Sequence, residues 1–176
     1  MKIALLDRDG VINIDRGYIG DIKNVELLCT KKTAVFLNDF FDEIYIFTNQ
    51  SGIGRGFFDM QTALKVTRYA AAQCGLTLKG IKICHHHPND HCNCRKPAPG
   101  LVHEIFAEIG NQNVWSIAVG DKWSDLLAAY DKADCLFHVE SGVDQSPAPS
   151  RILSHSSFNQ LKDINALPRF LENSLG

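Results

Sequence analysis

The chain has 176 residues and a formal net charge of −2 at neutral pH, and 45% of its residues are hydrophobic. This length predicts one domain over residues 1–176, with a sizeable buried core. The small net charge favours neither nucleic acid nor a membrane surface as a partner, and no apolar run reaches the length of a membrane-spanning helix. The apolar start is too short for a signal peptide, and free thiols then indicate the cytoplasm. We expect a cytoplasmic monomer.

Short apolar runs alternate along the chain with stretches of helical pattern. The runs predict strands buried on both faces, at residues 2–6, 43–48, 80–84, 116–119 and 135–139. Helices are predicted over 31–42, 59–74, 99–109, 124–132 and, after a loop rich in Ser and Pro at 141–157, over 159–171. Asp59 and Ser124 are candidate N-caps, and Gly75 and Gly110 are candidate left-handed C-terminal caps. The alternation predicts an α/β fold of Rossmann type, a doubly wound parallel sheet that binds ligands at the carboxyl ends of its strands.

Cysteine and histidine are concentrated in a short segment after the third predicted strand. Its pattern is Cys-x-His followed by Cys-x-Cys, formed by Cys84, His86, Cys92 and Cys94, and these one-residue gaps suit two arms closing on one tetrahedral ion. Thiolate and imidazole at this density favour zinc, and four protein ligands would leave no open position, so the site would be structural. A solvated polar loop and a disulfide are the alternatives. The spacing leaves other histidines open as ligands, namely His85, His87 and His91.

Polar residues follow four of the predicted strands. They are Asp7-Arg8-Asp9-Gly10, Thr48-Asn49-Gln50-Ser51-Gly52, Arg95-Lys96-Pro97 and Gly120-Asp121-Lys122-Trp123-Ser124-Asp125. Each is ambiguous alone, because carboxylates after a strand are usually capping groups and a hydroxyl–amide–glycine run is often only a turn. Together they predict one rim with carboxylates for Mg²⁺, a carboxylate nucleophile, hydroxyl and amide donors and a lysine. That combination is typical of a phosphoryl-transfer site.

In this order, the four motifs resemble those of the haloacid dehalogenase-like phosphatases. The cysteine–histidine segment resembles the branch that contains the heptose bisphosphate and histidinol-phosphate phosphatases, and the resemblance covers roughly residues 3 to 140. It implies that Asp7 attacks phosphorus and that Asp9 acts as general acid and base. It implies that Thr48 and the Asn49 amide hold phosphoryl oxygens while Lys96 compensates their charge. The implied metal ligands are Asp7, the main-chain carbonyl of Asp9, Asp121 and Asp125 for Mg²⁺, and Cys84, His86, Cys92 and Cys94 for Zn²⁺.

Many phosphatases of this type carry a large cap domain after the first motif or after the third strand. Here both places hold only short segments, so we expect no large cap domain and an open site. Recognition would then fall to three loops, namely Asp15-Arg16-Gly17-Tyr18, Ser51 to Gly56 with Arg55, and the segment that carries Arg95. The arginines of these loops suit a substrate with a second anionic or polyhydroxyl end. The predicted substrate-binding residues of these loops and of the motifs are Asp15, Arg16, Gly17, Tyr18, Thr48, Asn49, Gln50, Ser51, Arg55, Arg95, Lys96 and Lys122.

The resemblance leaves more than one substrate open. The first two loops resemble the heptose bisphosphate enzymes, whereas the short zinc loop is closer to the histidinol-phosphate type. The interpretation we favour is Mg²⁺-dependent hydrolysis of the 7-phosphate of D-glycero-D-manno-heptose 1,7-bisphosphate, in the synthesis of lipopolysaccharide precursors. Histidinol phosphate and other small sugar or polyol phosphates are the alternatives. A catalytically inactive, zinc-stabilised binding module is an alternative of another class, disfavoured because Asp7, Asp9, Lys96 and Asp121 are all intact.

Overall fold

The computed structural model describes residues 1–144 and 146–175, and within them six parallel strands form one sheet in the order β3-β2-β1-β4-β5-β6. The strands are β1 (Lys2–Leu6), β2 (Glu43–Asn49), β3 (Gly80–Cys84), β4 (Trp115–Gly120), β5 (Cys135–Val139) and β6 (Phe158–Leu161). The α-helices are α1 (Lys31–Phe40), α2 (Met60–Cys74), α3 (Gly100–Ile109), α4 (Trp123–Ala129), α5 (Ser150–Leu153) and α6 (Leu167–Leu175). In this part of the chain, no helix combines the length and the apolar character that crossing a membrane requires.

Helices cover both faces of the sheet. In β1, Ala4 and Leu6 pack into one hydrophobic cluster with residues of α1, α2 and α6, whereas Ile3 and Leu5 pack into another with residues of α3, α4 and α5. All four side chains are completely buried, because successive strand residues point to opposite faces. A strand covered on both sides has no polar face, and for this reason it reads as a continuous apolar run. The predicted doubly wound parallel α/β sheet is confirmed.

The two places where a cap domain was considered contain little regular structure. Between β1 and α1 the chain forms one turn of 3-10 helix, Ile22–Asn24, and isolated bridges. Between β3 and α3 it forms another single turn, Pro88–Asp90. Residues 1–144 therefore place no further domain over the carboxyl ends of β1, β2 and β4.

The predicted caps of α2 are confirmed, whereas the predicted caps at the end of α3 and at the start of α4 differ from the structure. Asp59 caps α2 by accepting a hydrogen bond from the Thr62 N–H, and Gly75 ends that helix in the left-handed conformation (φ +90°, ψ 18°). Gly110 ends α3 with positive φ but with ψ of −147°, which lies outside the left-handed helical region. The prediction that Ser124 is an N-cap is wrong. The helix begins at Trp123, and the Asp125 carboxylate accepts a hydrogen bond from the main-chain N–H of Lys122.

The prediction of a helix over 159–171 is wrong in its first half. Phe158–Leu161 forms β6, which pairs with β5 at the edge of the sheet, and α6 begins only at Leu167. A continuous helix is also opposed by Pro168, which is tolerated in a first helical turn but not in a helix interior. The predicted loop at 141–157 contains the short helix α5, and position 145 within it, like position 176, lies outside the described residues.

Candidate active site

A cavity of about 300 Å³ opens at the carboxyl ends of the central strands. Its lining contains most of the predicted site residues together with Ser124, which was not predicted: Asp7, Asp9, Asp15, Gly17, Tyr18, Thr48, Asn49, Gln50, Ser51, Arg95, Lys96, Lys122, Ser124 and Asp125. Three predicted substrate or Mg²⁺ ligands, Arg16, Arg55 and Asp121, do not line it, and neither do the four predicted zinc ligands. The topology thus brings residues from the ends of β1 and β2, and from the loops after β3 and β4, to one place.

Lys96 connects two buried carboxylates in the cavity wall. Its Nζ lies 2.8 Å from Oδ1 of Asp7 and 2.8 Å from Oδ1 of Asp125, and it donates to the Phe47 carbonyl oxygen at 2.9 Å. Burial lowers the pKa of Lys96, but the carboxylates of Asp125 and Asp7 outweigh this and raise it. The lysine is therefore a cation fixed between two acids, with its three N–H donors used inside the protein.

Asn49 holds the main chain of that lysine. The Asn49 side chain donates from Nδ2 to the Lys96 carbonyl oxygen at 3.2 Å and accepts at Oδ1 from the Lys96 N–H at 3.1 Å. The side-chain amide of Asn49 is thus engaged with the protein, and its direct effect is to position Lys96. The contact between the Asn49 amide and phosphate stays a prediction.

Three buried carboxylates form a group suited to a divalent cation. Oxygen atoms of Asp7, Asp121 and Asp125 lie within 4.8 Å of one another, and Asp121 is completely buried. Oδ1 of Asp121 has no hydrogen-bond partner among the described residues, which is costly for a buried oxygen unless another group binds it. Burial, together with the neighbouring carboxylates of Asp7 and Asp125, raises the pKa of Asp121 to about 8. Oxygen ligands in such a group match the preference of Mg²⁺.

The four predicted zinc ligands also lie together, on what we call the cysteine–histidine loop (residues 84–94). The Sγ atom of Cys92 lies 3.7 Å from that of Cys84 and 3.6 Å from that of Cys94, and Nδ1 of His86 lies 3.2 Å from the Cys94 sulfur. These separations are too long for disulfides, so the disulfide alternative is wrong. The two sulfur–sulfur distances are close to the edge of about 3.8 Å expected for a tetrahedron with metal–sulfur bonds of about 2.3 Å. The donor set therefore fits zinc.

Comparison with known proteins decides the family. No family model matches the chain. It is 37% identical over 138 residues to the D-glycero-beta-D-manno-heptose-1,7-bisphosphate 7-phosphatase of Helicobacter pylori strain J99, covering 72% of this chain and 76% of that protein. It is 37% identical over 137 residues to the protein of the same name from Photorhabdus laumondii, covering 72% and 73%. The chain belongs to the heptose bisphosphate phosphatase family.

Solved structures agree with this assignment. The D,D-heptose 1.7-bisphosphate phosphatase from B. bronchiseptica, complexed with magnesium and phosphate, matches with a TM-score of 0.83 and 30% identity, covering 98% of this chain and 99% of that one. The resemblance to haloacid dehalogenase-like phosphatases is confirmed. The chain is a phosphatase, a hydrolase of phosphate monoesters.

In this phosphatase, sequence reasoning gave no role to Arg8, a completely buried guanidinium. Arg8 donates to both carboxylate oxygens of Asp9, at 3.1 Å and 2.7 Å, and also to Oε1 of Gln50 and Oγ1 of Thr67. The alternation of side chains along a strand could have indicated where Arg8 lies. Arg8 continues the alternation of Ala4 and Leu6 beyond β1, and so it reaches the same face, against α2.

Gln50 extends this network toward the cavity. Its Nε2 donates to Oδ2 of Asp9 at 2.8 Å and to the Thr48 hydroxyl at 3.0 Å. Asn13 donates to the other oxygen of Asp9 at 2.9 Å. Asp9 is thus held as a hydrogen-bond acceptor by protein donors on both of its oxygens.

The loop after the Asp7–Gly10 motif is hydrogen-bonded to Lys122, just before α4, at the wall of the cavity. Asp15 accepts hydrogen bonds from Nζ of Lys122 at 2.7 Å and from the Gly17 N–H at 2.8 Å. Burial opposes ionisation of Asp15, but these hydrogen bonds outweigh it and lower the pKa of Asp15. Two predicted substrate-binding residues, Asp15 and Lys122, therefore bind each other and close one side of the cavity.

The predicted arginines differ in what they can contact. Arg16 forms an exposed ion pair with Glu26, outside the cavity lining. Arg55 lies beside Tyr18, with its guanidinium carbon 5.7 Å from the centre of the tyrosine ring. Arg95 lines the cavity, and one of its terminal nitrogens is buried with no partner among the described residues. Arg95 is thus the arginine best placed to bind an anion in the cavity.

Proposed function

We propose that this phosphatase hydrolyses the 7-phosphate of D-glycero-β-D-manno-heptose 1,7-bisphosphate, with Mg²⁺ held by Asp7, Asp121 and Asp125. The observation that carries the proposal is the pairing of Asp7 with Lys96 in a cavity that is also lined by Arg95, one of whose buried terminal nitrogens has no partner among the described residues. Asp7 and Lys96 suit the phosphoryl group that is cleaved, and Arg95 suits a second anionic end of the substrate. The names of the relatives supply the sugar.

The residues support a two-step reaction. A carboxylate oxygen of Asp7 forms a bond to phosphorus as the ester P–O bond breaks, and Asp9 donates a proton to the departing alkoxide. Water then attacks phosphorus, Asp9 takes its proton, and phosphate leaves Asp7. Bound Mg²⁺ supplies positive charge that offsets the phosphate dianion facing the carboxylates. Because both oxygens of Asp9 accept hydrogen bonds from the protein, one of them must first leave its protein donor and take up a proton from water before it can donate that proton to the leaving group.

The test of this function is a panel of kcat/KM values. It should cover the heptose 1,7-bisphosphate, its 1- and 7-monophosphates, histidinol phosphate and fructose 1,6-bisphosphate, with phosphorus NMR to identify which ester is cleaved. We expect the heptose bisphosphate to be preferred by about 10-fold or more, with the 1-phosphate as product. Preference for histidinol phosphate would favour the alternative indicated by the short cysteine–histidine loop. No turnover of any phosphate would contradict the phosphatase activity itself.

We also propose that Cys84, His86, Cys92 and Cys94 hold a structural zinc ion, and we expect purified protein to carry about one equivalent. Substituting Cys92→Ser should lower the bound zinc, because serine is a poor ligand for this ion. Elemental analysis measures the result directly. The control is Cys135→Ser, a thiol outside this group, which should keep its zinc. If the purified wild-type protein contained no metal, the zinc assignment would be wrong.

Arg95→Ala should keep the zinc and lower kcat/KM for the bisphosphate by about 10- to 100-fold, as expected for loss of a charge-assisted hydrogen bond. Hydrolysis of p-nitrophenyl phosphate, which has no second anionic end, should change little. Arg16→Ala is the matched control, because Arg16 lies outside the cavity lining and should affect neither substrate. Equal losses on both substrates would mean that Arg95 does not determine specificity.

Mg²⁺ should stabilise the protein more at about pH 8 than at about pH 5.5. The raised pKa of Asp121 means that the metal-free folded state holds a proton which the unfolded state releases at lower pH. The stability linked to this proton is present below the unfolded pKa and is lost as the pH rises through about 8. A cation bound by the Asp121 carboxylate can replace this proton, so the stabilisation by Mg²⁺ increases as the pH rises toward about 8. Thermal denaturation with and without Mg²⁺ measures the effect. Asp121→Asn should reduce its pH dependence and leave the part due to Asp7, whose pKa is also raised by burial.

A further inference from the structure

A loop after β2 rests on the cysteine–histidine loop. We call it the Arg55 loop (residues 51–56). A Cβ atom added at Gly54 would lie 2.4 Å from the main-chain nitrogen of His87 and 2.8 Å from the main-chain carbon of His86. Real Cβ atoms do not come so close to backbone, so the two main chains touch there only because residue 54 is glycine. Just before the loop, the Gln50 N–H donates to the carbonyl oxygen of Cys84 at 2.8 Å.

Within the Arg55 loop, hydrogen bonds connect this contact to the arginine. The Arg55 N–H donates to the carbonyl oxygen of Ser51 at 3.0 Å, and the Gly56 N–H donates to that of Ile53 at 2.9 Å. These hydrogen bonds connect the main chain at Gly54 and Arg55 to the rest of the loop. The place of Gly54 on the cysteine–histidine loop therefore sets the place of Arg55, which lies beside the cavity residue Tyr18.

The segment that supports Gly54 has little regular structure of its own. Between β3 and α3 it forms only the single 3-10 turn, closed by the His87 N–H to the Asp90 carboxylate at 2.8 Å. The sulfur and nitrogen ligands before and after this turn are the groups that would fix its path when zinc is bound. Loss of the ion would free the backbone on which Gly54 rests.

We propose that the zinc site anchors two cationic groups at once, Arg95 through the adjoining ligand Cys94 and Arg55 through the contact of Gly54 with His86 and His87. The ion then sets the distance between Arg95, which lines the cavity, and Arg55, which lies beside the cavity residue Tyr18. This distance determines which doubly anionic substrates are accepted. Gly54 is a positioning residue for this specificity. The inference rests on the zinc proposed above.

The first test is hydrogen exchange on the wild-type protein, loaded with zinc or stripped by a chelator. We expect the amides of residues 53–57 to exchange about 10-fold faster or more without zinc, whereas those of α1, on the other side of the sheet from α3, should not change. This measurement needs no variant and no substrate. Unchanged exchange in the Arg55 loop would overturn the inference.

The second test compares two alanine variants of the Arg55 loop. In Gly54→Ala the new Cβ meets the backbone of the cysteine–histidine loop, whereas in Gly56→Ala it points into open space, at a glycine with φ of +75°. Both disturb the loop, but only Gly54→Ala should release zinc faster to a chromogenic chelator, by about 10-fold. It should also lower kcat/KM for the heptose bisphosphate more than for p-nitrophenyl phosphate.

The outcomes separate this inference from the proposals on which it rests. Protein that binds no zinc would overturn both the zinc assignment and the anchoring. Protein that binds zinc but releases it equally fast from both variants would overturn the anchoring alone. The zinc readouts do not depend on whether the heptose bisphosphate is the preferred substrate.

Discussion

Asp7→Asn is expected to lower kcat by about 10,000-fold or more, as found when an enzyme loses its nucleophile. The amide is nearly isosteric with the carboxylate and keeps an oxygen for Nζ of Lys96, so the fold should survive. It is a poor nucleophile, however, and cannot form the covalent phosphoryl intermediate. Steady-state rates with p-nitrophenyl phosphate and with the bisphosphate measure the loss, and acid-quenched protein should carry no phosphoryl group.

Asp131→Asn is the matched control for this substitution. Asp131 is an exposed acid paired with Arg151, outside the cavity lining, so the same chemical change should leave kcat unaltered there. If Asp7→Asn turned over substrate at a rate comparable to the wild type, the proposed mechanism would be wrong.

Lys96→Met is expected to lower the free energy of unfolding by about 3–5 kcal/mol in the absence of Mg²⁺, because it leaves buried carboxylates without their partner. Asp7 and Asp125 each lie 2.8 Å from the ammonium that is removed, and all three side chains are almost completely buried. Urea unfolding measures the loss. Mg²⁺ should restore part of it, since the cation replaces some of the missing positive charge, but activity should stay low.

Lys79→Met supplies the comparison for this stability loss. Its partner is Glu43, and the lysine side chain is 59% exposed, so breaking this pair should cost no more than about 1 kcal/mol. Equal losses in the two variants would show that Lys96 does not balance the buried acids.

The central strands could be predicted because each is an apolar run covered on both faces. The strand β6 could not, because only Phe158 and Leu161 are apolar in it and its pairing with β5 comes from tertiary structure. The N-terminus of α4 was misplaced for a related reason. Its capping carboxylate comes from Asp125, inside the helix, rather than from a short polar residue before it.

The chemistry at the strand ends could also be predicted, because parallel strands bring their carboxyl ends to one edge of the sheet. The contacts that the predicted residues make could not be predicted. Asp15 and Lys122 are separated by 107 positions, and no local pattern indicates that they bind each other rather than substrate. The same holds for Arg16, whose partner Glu26 is one of several acids within reach along the chain.

The hydrogen bonds from Asn49 to the Lys96 main chain separate Lys96 from the cysteine–histidine loop before it, so that the two can vary independently in sequence. The lysine is fixed from β2, by both hydrogen bonds of one side chain, and not only by the residues that precede it. Insertions, deletions or substitutions in 88–91, between the proposed zinc ligands His86 and Cys92, can then be absorbed before the chain reaches Lys96. That segment is therefore the natural place to redesign which molecules are accepted while the bond-breaking apparatus stays where it is.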